Sequence, residues 1–95
     1  MTENEISYEI RGAIFDVYNE LGPGLLESVY HSALREEFSD RKLAFREEVK
    51  IPVVYKGKEL SQHYRIDFFV EEKVVVEIKS VEVLLAVHHK QLLTY

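Results

Sequence analysis

Three residues past the middle of the chain are of types that do chemistry. Asp67 and Glu77 are acids set inside the two most apolar runs, RIDFFV and KVVVEIK, and Lys79 follows Glu77 by two positions. A core strand would carry apolar side chains at both acids. Successive strand side chains point to opposite faces, so Glu77 and Lys79 share a face with Val75. By the same rule Arg65, Asp67 and Phe69 share a face on the run before. If Val70 pairs with Val74 across a three-residue loop, Asp67 falls opposite Glu77. A two-residue loop at Glu71-Glu72, the kind turn statistics prefer, would instead send the two acids to opposite faces. The first register, or a bulge with the same effect, is expected here.

Adjacent carboxylates repel unless positive charge lies between them. Lys79 can supply that charge, and so can a divalent cation. Hard oxygen donors suit Mg2+ or Mn2+, and Mg2+ commonly keeps several waters beside one or two carboxylates. A lysine near a metal-bound acid can orient or deprotonate a water, or neutralise developing negative charge. Together these are the parts for metal-assisted hydrolysis of a phosphodiester. On spacing alone a plainer reading carries about equal weight: Glu77 and Lys79 form a solvated strand face, and Asp67 pairs with Arg65 or Lys79.

The elements that must hold these residues follow from periodicity. Thr2 and Glu5 have capping-box spacing. Ile6, Ile10, Ala13, Ile14, Val17 and Leu21 then recur at helical intervals, which predicts a helix over about 4–20. Gly22-Pro23-Gly24 stops it. A second helix is expected over about 26–39, with Leu26, Val29, Tyr30, Ala33, Leu34 and Phe38 buried. From Phe45 the period becomes two. A first strand contains Pro52, which donates no backbone hydrogen bond and so belongs at a sheet edge or an irregularity. Lys56-Gly57-Lys58 reads as a hairpin turn. Strands are expected over about 60–70 and 73–79. Leu84, Val87, Gln91 and Tyr95 have helical spacing, so Val83 to Tyr95 is expected to be a helix. The fold class is α+β: two helices, a three-stranded antiparallel meander and a C-terminal helix.

The chain has 95 residues and reads as one domain. It has no cysteine, which excludes disulfides and zinc-thiolate sites. Its net charge of -5 argues against a binder that grips nucleic acid by bulk charge alone. No apolar run is long enough to span a membrane, and MTENEISYEI is not a signal peptide; a cytoplasmic protein is expected. The four histidines lack zinc spacing, and His31, His63 and His89 are expected at the surface. Tyr30 is expected in the core. Lys56 and Lys58 could touch phosphate or simply flank a solvated turn. There is no P-loop, nucleophile elbow or dinucleotide fingerprint.

Asp67 followed by Glu77-Ile78-Lys79 resembles the D…(D/E)-x-K signature of the PD-(D/E)XK nuclease superfamily. Gly24-Leu25-Leu26-Glu27-Ser28-Val29-Tyr30 is similar to the motif that names the GxxExxY family within it. Gln91 to Tyr95 is similar to the Q-x-x-x-Y motif of its RecB-like members. The resemblance implies a restriction-endonuclease-like core and a Mg2+- or Mn2+-dependent nuclease acting on nucleic acid, DNA foremost. It implies that Asp67 and Glu77 hold the metal and that Lys79 positions or activates the attacking water. It further implies that Glu27 is an additional ligand or water-holding acid, and that Gln91, Tyr95 and His88 line the substrate side.

Two departures stand out. Ile66 precedes Asp67 where the pattern has proline, and nothing follows Tyr95, where such folds continue into a further parallel strand. A shortened domain is therefore expected, with an open sheet edge through which copies could pair. The competing function is a non-catalytic module that keeps the fold to bind protein or nucleic acid. In that case removing Asp67 should leave function alone and could raise stability by relieving repulsion.

Overall fold

The computed structural model describes residues 1–79 together with the backbone of 83–87. Helix α1 spans Glu3–Leu21 and begins with the expected capping box, in which Thr2 and Glu5 each satisfy the other's backbone N–H. Its stripe of Ile6, Ile10, Ala13 and Val17 is buried. Helix α2 spans Glu27–Asp40 and buries Tyr30, His31, Leu34 and Phe38. Leu26 and Val29, expected on that buried side, are exposed: α2 starts only at Glu27, Leu26 is the residue that caps it, and Val29 lies in its first turn.

Arg41 ties the two helices together. It bonds Glu9 and Asp16 of α1 and Glu37 of α2 at 2.8 to 3.3 Å. Gly12 makes room for it, since a Cβ there would lie 2.8 Å from the guanidinium.

Four strands follow: β1 (Phe45–Tyr55), β2 (Lys58–Val70), β3 (Val74–Ile78) and β4 (Val83–Val87). They form one sheet in the order β1-β2-β3-β4, and all neighbours are antiparallel. Pro52 lies on the edge strand, beside a register shift, as its missing donor requires. The two hairpin turns among the described residues use left-handed backbone. Lys56 and Gly57 have φ of 50° and 79°, and Glu71 and Glu72 have φ of 54° and 55°. The second turn bonds Lys73 N–H to the Val70 carbonyl and pairs Val70 with Val74, the register the two acids required.

The α+β class and the three-stranded meander are as expected. The segment from Val83 is not: Val83–Val87 is a strand, paired residue by residue with β3, rather than the start of a helix. A run as uniformly apolar as VLLAV fits either period. β3 is buried except at the half-buried Glu77, so its outer backbone groups need a partner, and β4 supplies one. β4 thus covers the outer edge of β3 within the chain, and the outermost described strands of the sheet are β1 and β4. His88, Gln91 and Tyr95, with the rest of the expected final helix, lie outside the described residues.

Both helices pack on one face of the sheet, over Phe68, Val70, Val74, Val76 and Ile78. A smaller cluster of Ile51, Ile66, Phe69 and Val75, with Val49 against it, forms the opposite face.

Candidate functional site

The two clusters show that strand alternation fails at one place. Ile66, Phe68 and Val70 should share a face. Phe68 and Val70 lie under the helices, whereas Ile66 joins Phe69 in the opposite cluster. The neighbouring strand breaks at the same level. Glu47 reaches α2, while Val49 and Ile51 pack on the far side. Between them Glu48 has φ of 50°, and the pair Glu48/Asp67 is missing from a ladder whose register is otherwise unchanged on either side. Asp67 therefore leaves the face of Phe69, where simple alternation put it, and turns toward α2.

What Asp67 meets there defines the site. Its Oδ2 accepts the backbone N–H of Ile78 at 2.7 Å. Its Oδ1 lies 3.6 Å from His31 Nδ1, longer than a hydrogen bond. The His31 Nε2 sits 3.0 Å from Glu47, which also takes a 2.7 Å bond from Arg35. Burial acts to raise the Glu47 pKa, but the bonds from Arg35 and His31 outweigh it and hold the carboxyl below its usual value. The His31 ring stacks on Phe68 with centroids 4.2 Å apart. His31 is thus buried, not the surface residue expected, and it lies between Asp67 and Glu47. No residue spacing in the sequence marks it. The available sign was its position one residue after Tyr30 on the inner side of α2.

A cavity of about 350 Å³ opens beside this group. Glu27, His31, Arg35, Glu48, Arg65 and Asp67 line it. Glu27, the first residue of α2, is thereby brought to the same space as Asp67. Its position depends on the loop before it. The Tyr30 hydroxyl donates to the Gly22 carbonyl at 2.7 Å and accepts the Leu25 N–H at 3.1 Å, which fixes the path from α1 into α2. Tyr30 is fully buried and stacks on Tyr18, so this motif residue is a core aromatic with a structural hydroxyl.

Glu77 occupies the ladder level beyond the pair Phe68↔Val76, and it alternates with Val75 on the face away from the helices. One of its oxygens accepts the Tyr64 hydroxyl, and the other lies 3.5 Å from the Lys79 ammonium. The bond to Glu77, then burial, then the nearby carboxylate charge push the Tyr64 phenol above its usual value. Lys79 is exposed. Neither Glu77 nor Lys79 lines the cavity; the link between the two halves is the Ile78 amide, held by Asp67 from between them.

Among the described residues, no group of three or more acids or histidines is close enough to enclose a metal ion. The donors at hand are carboxylate oxygens at the rim of an open cavity. That set fits a hard divalent cation held by one or two carboxylates and completed by water, and it does not fit zinc or another ion that demands a full protein cage. No helix among the described residues is long and apolar enough to cross a membrane.

No curated protein and no solved structure matches this chain. A family model does, over residues 4–95, nearly the whole length. With the antiparallel hairpin that carries Asp67 and Glu77-x-Lys79, that match shows that the chain belongs to the PD-(D/E)XK nuclease superfamily.

Proposed function

We propose that this protein is a metal-dependent nuclease that hydrolyses phosphodiester bonds in nucleic acid, with DNA as the principal substrate. One observation carries the assignment of residues: the Asp67 carboxylate accepts the amide of Ile78, between Glu77 and Lys79, which ties the three signature residues together through one bond. Family membership supplies the reaction class. In this reading Asp67 and Glu77 hold Mg2+ or Mn2+, Glu77 leaving Tyr64 and Lys79 to turn to the Asp67 side of the sheet, and Glu27 acts as a further ligand or holds a water. When bound, the cation would polarise the phosphate and make a water more acidic. Lys79 orients the attacking water and stabilises the negative charge that develops. As the water oxygen bonds to phosphorus, the bond to the leaving oxygen breaks. Arg65 and Arg35, at the cavity wall, offset the charge of the incoming phosphate.

The same reading assigns the chain to the GxxExxY group, with RecB-like features, on Gly24 to Tyr30 and Gln91 to Tyr95. It gives Gln91, Tyr95 and His88 the substrate side. A catalytically inactive module is the alternative. It is favoured by one fact: both Glu77 oxygens already have partners, Tyr64 and Lys79.

A calorimetric Mn2+ titration of the chain and of its Asp67→Asn variant separates the two, followed by cleavage assays on DNA and RNA. Saturable binding lost in the variant is expected, with metal-dependent cleavage that Lys79→Ala abolishes while the fold persists. Cleavage undiminished in Lys79→Ala sinks the role given to that lysine. Absence of both binding and cleavage favours the inactive module.

A further inference from the structure

The β1–β2 hairpin runs well past the sheet. β3 pairs with β2 only from Phe68 to Val70, yet β1 and β2 stay paired out to Tyr55 and Lys58. Every residue from 54 to 65 is exposed. Residues 50–65 form a two-stranded ribbon with charge opposite to the rest of the chain. It carries Lys50, Lys56, Lys58 and Arg65 against Glu59 alone, a net +3 in a protein whose total is -5.

The charges are ordered. Lys50 pairs across the strands with Arg65, and Pro52 with His63, so these four positions share one face. That face leads into the cavity, because Arg65 lines it beside Asp67. Lys56 and Lys58 flank the tip, and the Lys56 ammonium sits 5.4 Å from the centre of the exposed Tyr55 ring. At the usual rise of a strand, Arg65 to Lys58 spans roughly 23 Å. That equals the axial rise of about seven base pairs of a duplex.

We infer that this ribbon is a duplex-DNA arm: it lies in the major groove and contacts phosphates flanking the bond presented to the cavity. A two-stranded ribbon fits the B-form major groove, whereas the A-form major groove is too deep and narrow to admit it. The acidic remainder of the chain repels phosphate elsewhere, so the ribbon sets the orientation in which nucleic acid approaches. The cleavage chemistry rests on the nuclease reading; the arm itself is a binding surface and can be tested without it.

The test is fluorescence anisotropy with a labelled 20-base-pair DNA duplex in EDTA, across a salt series, for the wild type and Lys56→Gln/Lys58→Gln. The same duplex sequence in RNA is the comparison. Both positions are exposed at the hairpin tip and the substitutions remove charge while keeping a polar side chain; a thermal melt checks that the fold is intact. The double variant should bind DNA at least tenfold more weakly. Its slope of log K against log salt should be shallower by about 1.8, the loss of two phosphate contacts. RNA duplex should bind the wild type at least tenfold more weakly than DNA. An unchanged slope in the double variant, or equal binding of RNA and DNA, overturns the arm. Arg11→Gln, exposed on α1 and outside both the ribbon and the site, should bind DNA as the wild type does. If the slope falls as expected but no metal-dependent cleavage occurs, the nuclease reading fails and the arm stands. If cleavage occurs with an unchanged slope, the reverse holds.

Discussion

Tyr30→Phe is the sharpest test of how the fold positions the site. The substitution removes one oxygen and keeps the ring, its burial and its stack on Tyr18 at 4.9 Å. The oxygen makes two hydrogen bonds, to the Gly22 carbonyl and from the Leu25 N–H. At about 1 kcal/mol for each neutral bond, the variant should lose about 2 kcal/mol. For a domain of this size that lowers the melting temperature by about 8–16 °C. Urea and thermal denaturation followed by circular dichroism would measure it, with an unchanged urea slope showing that the same surface unfolds. Tyr8→Phe, on an exposed side chain, is the control and should change nothing measurable. A Tyr30→Phe variant within about 0.5 kcal/mol of wild type would refute the reasoning, because the loop would then be held without the hydroxyl. If the reasoning holds, the tyrosine of the G-x-x-E-x-x-Y stretch serves to aim Glu27.

Asp67→Ala strips the acceptor from a nearly buried Ile78 amide and should cost about 1–3 kcal/mol in urea unfolding, while Asp67→Asn, which keeps an acceptor, should cost less. This reverses the stabilisation that carboxylate repulsion alone predicts. Tyr64 gives a pH signature. Its folded pKa is raised, so its contribution is complete below the ordinary phenol value of about 10 and is lost as pH rises through the folded value. Between pH 9 and 12 the wild type should lose stability more steeply than Tyr64→Phe in matched urea titrations; parallel curves would show that the bond to Glu77 does not hold in solution. Glu72 has φ of 55° and its one ion pair among the described residues, with Arg46, is exposed, so Glu72→Gly should stabilise by about 1 kcal/mol in the same assay.

Much of the fold was legible because single residues forced it. The Thr2/Glu5 box, the apolar stripe of α1 and Pro52 on an edge strand each have a local cause that the structure repeats. The Val70–Val74 register was legible for a different reason: only that pairing sets Asp67 level with Glu77. The alternation break at Glu48 and Asp67 was written in the sequence as Ile66 followed by Phe68, Phe69 and Val70, a pattern no strictly alternating strand needs. It went unread because either face can bury one more apolar residue. His31 was missed because its partners, Glu47 and Asp67, come from two other elements. The segment from Val83 was misread because apolar content without polar punctuation does not choose a period; the unmet backbone of β3 chose it.

The Asp67–Ile78 bond has one more consequence. Elsewhere in the described part of β3 the backbone amides depend on strand pairing, whose opening requires the sheet to part. The Ile78 amide depends on the orientation of a single side chain. Its exchange with deuterated solvent is therefore a gauge, at one proton, of whether the carboxylate is in place. Anything that draws Asp67 away should quicken exchange at Ile78 and leave Val74 to Val76 as slow as before.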